Sequence, residues 1–103
     1  MNALKHVDHH MDNLISDLQK LIQQPSVSAK NEGIEECAKL VKSLLKTSGL
    51  KSEILRLKKG VAPIVFAEIK SKSNPNKTLM FYNHYDVQPA EPFDLWDDPP
   101  FSG

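Results

Sequence analysis

Cysteine is nearly absent from this chain. Cys37 is the single example in 103 residues, so no intramolecular disulfide framework is available, and a small disulfide-stapled scaffold is excluded. An excess of either charge is also missing, because 13 Lys plus Arg balance 13 Asp plus Glu. A chain with no net charge has no field to draw nucleic acid or an anionic membrane, and neither is expected as a partner. No apolar run approaches the ~20 residues needed to cross a bilayer. Lys5, His6, Asp8, His9 and His10 interrupt the start of the chain, so no signal-peptide pattern forms there. Together these absences set the cytoplasm as the expected compartment. Internal repeats and low-complexity tracts are lacking as well.

What is present reads as one domain at most. Leu4, Val7, Met11, Leu14, Ile15, Leu18, Leu21 and Ile22 recur at steps of three and four, which predicts an amphipathic helix. Pro25 ends it by pushing Gln24 out of the helical region. The stretch 26–30 is a loop. A second helix is predicted from about Glu32, with Ile34, Cys37, Ala38, Val41, Leu44 and Leu45 on its buried face. Glu32, Glu35 and Glu36 near its start and Lys42 and Lys46 near its end suit the helix dipole. Gly49 is its natural stop.

Strand patterns follow. Residues 52–57 alternate in part, Lys58-Lys59-Gly60 is a turn, and 62–70 is a second strand with Pro63 at its start, where a missing N–H is tolerated. Residues 71–76 are rich in turn formers. A third strand is predicted over 78–83. Leu79, Met80, Phe81 and Tyr82 are apolar or aromatic on both of its faces, so it reads as an interior strand covered on both sides. Beyond Val87, Pro89, Pro92, Pro99 and Pro100 exclude a regular helix. Two helices followed by three strands predict an α/β layered fold with an incomplete sheet.

The third strand runs out at His84-Tyr85-Asp86. In an extended backbone, residues two apart share a face. A neutral imidazole can bind a metal there while the carboxylate fixes its tautomer. In open α/β sheets, ligands gather at the carboxyl ends of strands, which is where this motif falls. Alone, His-x-Asp is a short pattern, and a structural histidine–carboxylate pair is the competing reading.

The flanking residues separate the two. The run from Leu79 through His84-Tyr85-Asp86-Val87-Gln88-Pro89 to Ala90, followed by Trp96 and Pro100-Phe101, resembles the first metal-site segment of the co-catalytic zinc metallopeptidases. That superfamily includes carnosinase-like dipeptidases, aminoacylase and succinyl-diaminopimelate desuccinylase. Leu21 to Ser28 resembles the end of the family's first helix, and Glu36 to Gly49 its second. The resemblance implies a zinc-peptidase-type three-layer domain, of which residues 1–103 would be the N-terminal part. The rest of the catalytic domain and a lid or dimerisation domain would lie outside them. It implies His84 as a zinc ligand and Asp86 as the catalytic-site aspartate that holds it. It further implies two Zn2+ per active site, with Co2+ or Mn2+ as alternatives. The expected reaction is hydrolysis of a small peptide or an N-acyl amino acid, and the whole enzyme would be a homodimer. Val87-Gln88-Pro89 with Tyr85 resembles the dipeptidase branch more than the deacylases. Asn83 and Pro99 depart from the family pattern without touching the metal. The family's remaining carboxylate ligands, its general-base glutamate and its last histidine have no counterpart here, so the 103 residues alone are expected to be inactive. The alternatives are a non-catalytic remnant or binding module, an N-acyl amino acid deacylase of the same superfamily, and a phosphoesterase. The phosphoesterase would need more histidines after His84 than the sequence supplies.

Other residues invite chemistry less strongly. His6 and His10 are one helical turn apart, the spacing of helical zinc sites, but no further ligand completes that face, and a solvated helix surface is expected. Cys37, on an apolar face, reads as a buried core thiol. Phe93, Trp96 and Phe101 read as anchors of the Pro-rich loop, and Asp94, Asp97 and Asp98 as a solvated acidic loop.

Overall fold

A computed structural model describes residues 2–103. Helix α1 spans Ala3–Gln23, α2 spans Ile34–Thr47, and strands β1 (Lys51–Leu55) and β2 (Ile64–Glu68) form a two-stranded antiparallel sheet. Two single-turn 3-10 helices, Ser28–Lys30 and Phe93–Leu95, sit in the loops. The radius of gyration is 16.3 Å, against about 13 Å for a closed domain of this length. The chain does not wrap around a full core.

The helix limits follow from local chemistry. The Asn2 side chain accepts the Lys5 amide at 2.9 Å and caps α1. Gln24 is extended, as its position before Pro25 requires. At the end of α2, Gly49 takes φ +88. Its amide donates to the Lys46 carbonyl and the Leu50 amide to the Leu45 carbonyl, both at 3.0 Å. This is the paired bonding of a Schellman stop. The start of α2 needs glycine for a different reason. Gly33 has φ +70, and a Cβ there would sit 1.9 Å from the Pro25 carbonyl oxygen. The entry to α2 thus presses directly on the exit from α1.

The sheet register places Ile54 opposite Val65 and Ser52 opposite Ala67. These residues form the half-buried face, which packs on α2, and the Ser52 hydroxyl donates to the Lys42 carbonyl at 2.9 Å. Ile64 and Phe66 face the other way and are exposed. Among the described residues the buried ones are few: Ser26, Val27, Ile34, Cys37, Ala38 and Pro63. They gather where the 25–28 loop, the start of α2 and the residues after 84 meet. Val27 is the hub, exchanging backbone hydrogen bonds with Glu32 at 2.8 and 3.1 Å and bridging Val87 in parallel.

The expected third strand does not form. Residues 78–83 form no regular element and pair with no strand, and Leu79, Met80, Phe81 and Tyr82 are about four-fifths exposed. A strand apolar on both faces needs neighbours on both edges and layers on both sides. Among the described residues, β1 and β2 pair only with each other. The apolar stripe of α1 is likewise uncovered, with no residue of that helix buried.

Candidate metal centre

The 84–87 segment is fixed by the loop that follows α1. The Val87 amide donates to the Ser26 carbonyl at 2.9 Å. The Ser26 hydroxyl donates to the Tyr85 carbonyl at 2.6 Å, and the Cys37 thiol reaches the same carbonyl at 3.8 Å. On the opposite side, the Tyr85 hydroxyl donates to the Pro63 carbonyl at 2.6 Å. Ser26, Cys37 and Pro63 are buried and Tyr85 is half-buried, so these bonds satisfy polar atoms that would otherwise lose water. Tyr85 is thereby pinned at both ends, and its neighbours His84 and Asp86 inherit a defined direction.

His84 Nδ1 lies 2.9 Å from the Asp86 carbonyl oxygen and 3.1 Å from Asp86 Oδ1. Both partners are acceptors, so Nδ1 carries the proton and donates. Nε2 is then the nitrogen with the free lone pair, on a side chain that is 77% exposed. The second carboxylate oxygen is also engaged: the Ser28 hydroxyl donates to Asp86 Oδ2 at 2.7 Å. The Ser28 bond holds the Asp86 carboxyl below the usual carboxylate range, burial opposes it, and His84 adds to the lowering. Burial pushes the Tyr85 hydroxyl up, with the nearby Cys37, Glu35 and Asp86 acting in the same direction. Burial also pushes the Cys37 thiol up. Cys37 is a buried thiol of the core, as expected.

His84 fits the part of one ligand, with a fixed tautomer and an open nitrogen. Among the described residues, no three His, Cys, Asp or Glu side chains converge on one point. A catalytic zinc needs about three protein ligands, so these residues do not by themselves fit a bound metal.

The other sequence candidates stay apart. His6 and His10 stack at 4.2 Å between ring centroids on the exposed side of α1. Trp96 Nε1 donates to the Ala90 carbonyl at 2.8 Å, closing its own loop. Trp96 and Phe93 are more than half exposed, so these two do not bury the loop against the domain, whereas Phe101 is half-buried. Tethers from other elements hold the loop instead: Lys30 to Glu91, and the Gln19 and Gln23 side chains to the Gly103 and Ser102 carbonyls at 3.2 Å. Ser26 and Ser28, which bond to the 85–86 segment, are the positions that sequence reasoning missed. Small polar residues after a helix-ending proline read as turn formers, and nothing local ties them to a segment 58 residues on.

No protein-family model matches the chain. Individual proteins do. Succinyl-diaminopimelate desuccinylase of Blochmanniella pennsylvanica is 37% identical over 87% of this chain and 22% of its own length. The Cys-Gly metallodipeptidase DUG1 of Saccharomyces cerevisiae is 29% identical over 97% of this chain and 24% of its own. The crystal structure of the M20 family metallo-carboxypeptidase Sso-CP2 from Sulfolobus solfataricus superposes with a TM-score of 0.76 at 39% identity. That match covers 85% of this chain and 20% of the carboxypeptidase. Sequence and fold agree in matching this chain to a segment of the M20 metallopeptidases. It spans between a fifth and a quarter of the length of these relatives. The family is one of metal-dependent hydrolases. No helix of the described residues is long and apolar enough to cross a membrane.

Proposed function

We propose that these 103 residues are the N-terminal part of the catalytic domain of a metal-dependent hydrolase acting on peptide or N-acyl amide bonds. The observation that carries this reading is the state of His84. Its Nδ1 is tied to Asp86, and its Nε2 is open at the end of the 79–83 segment. In this reading His84 is one ligand of a zinc pair, with cobalt or manganese as substitutes, and the remaining ligands lie elsewhere in the whole protein. Asp86 fixes the imidazole and raises its basicity as a ligand. Ser28 fixes Asp86. The metal would polarise the scissile carbonyl and activate water. This chain's own residues contribute the orientation of one ligand and the packed base beneath it. The whole enzyme would work in the cytoplasm as a homodimer.

The names of the relatives support two substrate classes, a small dipeptide and an N-succinyl amino acid, and Tyr85-Asp86-Val87-Gln88-Pro89 favours the dipeptide. The test is hydrolysis by the protein encoded by the complete reading frame. It is assayed on matched dipeptides and N-succinyl amino acids with zinc, cobalt or manganese. Metal-dependent turnover of the dipeptides supports the reading, turnover of only the succinyl compounds moves it to the deacylase branch, and turnover of neither refutes it. The 103 residues alone are predicted to cleave none of these substrates with any of the three metals, and measurable cleavage would overturn the division of the site between segments.

The uncovered run from Leu79 to Tyr82 favours a second reading, a non-catalytic binding module whose apolar segment pairs with another chain. A self-associating protein without stoichiometric zinc would support it.

A further inference from the structure

We propose that His6 and His10 form a two-imidazole chelate for a first-row transition cation, which clamps the first turns of α1. The backbone is already helical where the pair begins. The His6 amide donates to the Asn2 carbonyl at 3.1 Å, and the Asn2 side chain caps the turn. Residues four apart on a helix are neighbours on one face. The two rings use that spacing: their centroids are 4.2 Å apart and their planes differ by 23°. His10 Nδ1 lies 2.8 Å from the His6 carbonyl oxygen, so Nδ1 donates and Nε2 keeps the lone pair. One donor atom is thus fixed in its tautomer beside a second imidazole, and both residues are exposed to an incoming ion.

His9 is the internal comparison. Its Nδ1 lies 2.7 Å from the Lys5 carbonyl oxygen, and the same tautomer follows. Among the described residues no second ring stacks on it. His9 therefore offers one nitrogen where His6 and His10 together offer two.

Imidazole donors select the cation. They suit zinc, nickel and copper, whereas magnesium and calcium take oxygen ligands. Cu2+ should bind more tightly than Zn2+, the general order for such sites. Two protein ligands are fewer than a catalytic zinc takes, so the cation keeps water on its other positions and is lost on dialysis. The pair does not involve His84. No residue of α1 is buried, so packing holds this helix weakly. A cation that binds only the helical spacing stabilises it by mass action.

The probes are Cu2+ and Zn2+ alone, titrated calorimetrically into the 103-residue chain, with Mg2+ as control. A single equivalent should bind, Cu2+ more tightly than Zn2+, and Mg2+ should give no binding. His6→Gln and His10→Gln should each weaken binding about tenfold or more, because the second imidazole of a chelate acts at a high effective concentration. Glutamine is a good helix former, and helical circular dichroism checks that both variants fold. His9→Gln and His84→Gln should bind as the wild type does. Zn2+ should also slow amide exchange over 6–11 in the wild type and not in His10→Gln. Wild-type affinity in His6→Gln or His10→Gln, an equal loss in His9→Gln, or competition by Mg2+ would each overturn the chelate. Weak binding spread over all four histidines would mark an adventitious ion only and overturn it as well. Unchanged exchange with Zn2+ bound would overturn the clamp.

Discussion

The Ser28 hydroxyl donates to Asp86 Oδ2 at 2.7 Å, joining the loop after the first helix to the motif 58 residues later. Asp86 uses its other oxygen on His84 Nδ1 at 3.1 Å. Serine, aspartate and histidine thus form a line in which each group limits the freedom of the next. Ser28→Ala should leave the Asp86 carboxylate free to rotate and the imidazole free to exchange tautomers. The check is the ring-nitrogen spectrum of His84, which should show one neutral tautomer in the wild type and a mixture in the variant. In the protein from the complete reading frame, zinc affinity should fall about tenfold, the usual loss when a group supporting a ligand is removed. Ser28→Thr, which keeps the hydroxyl, should restore both.

Gly33 should not tolerate a side chain. Its φ of +70 disfavours any other residue, and a new Cβ would meet the Pro25 carbonyl oxygen at 1.9 Å. Gly33→Ala is expected to cost about 2–4 kcal/mol from backbone strain and overpacking together. Urea unfolding checks this, and a midpoint equal to wild type would refute it.

The core thiol gives a pH signature at the alkaline end. Burial raises the Cys37 pKa above its ordinary 9.0. The unfolded chain therefore releases this proton first, and stability falls as pH rises past the ordinary value. Alkylation by iodoacetamide at mildly alkaline pH should be much slower in the native chain than in urea. Equal rates would place the thiol at the surface.

Acid acts through Glu35. The Arg56 fork lowers its pKa from the ordinary 4.5. Its contribution is present in full above 4.5 and is lost as pH falls through the lowered folded value. Wild type and Glu35→Gln should therefore differ in urea midpoint at neutral pH and converge in acid. Both groups are exposed, so the difference will be small.

The uncovered run should behave as unpaired backbone. Amide exchange at 79–83 is expected to be fast, while the β1 and β2 amides facing each other are protected. Leu79, Met80, Phe81 and Tyr82 also offer an apolar edge to other chains. Phe81→Lys should reduce concentration-dependent association in sedimentation. Protected amides at 79–83 in a monomer would contradict this.

The sequence carried the local elements well, because their causes are local. Proline, glycine and apolar spacing set both helices, and alternation with Lys58-Lys59-Gly60 set the hairpin within one or two residues of its ends. Residues 78–83 were different. Their composition states what a strand needs on every side, and the needed neighbours are not among the described residues. The core followed the same logic: Ile34, Cys37 and Ala38 are buried as the helical period implies, whereas Val41, Leu44 and Leu45 are half-covered because α1 packs on them loosely. His84 and Asp86 stood out through their flanking residues. Ser26 and Ser28 did not, because a hydroxyl carries no mark of its partner until the chain folds.

The most direct measurement is the zinc content of the protein from the complete reading frame, wild type against His84→Ala, after dialysis. The account predicts stoichiometric zinc in the wild type and loss of most of it in the variant, with activity lost in parallel. A His84→Ala protein that keeps wild-type zinc and wild-type turnover would contradict the assignment of His84 as a ligand and, with it, the reading of the site.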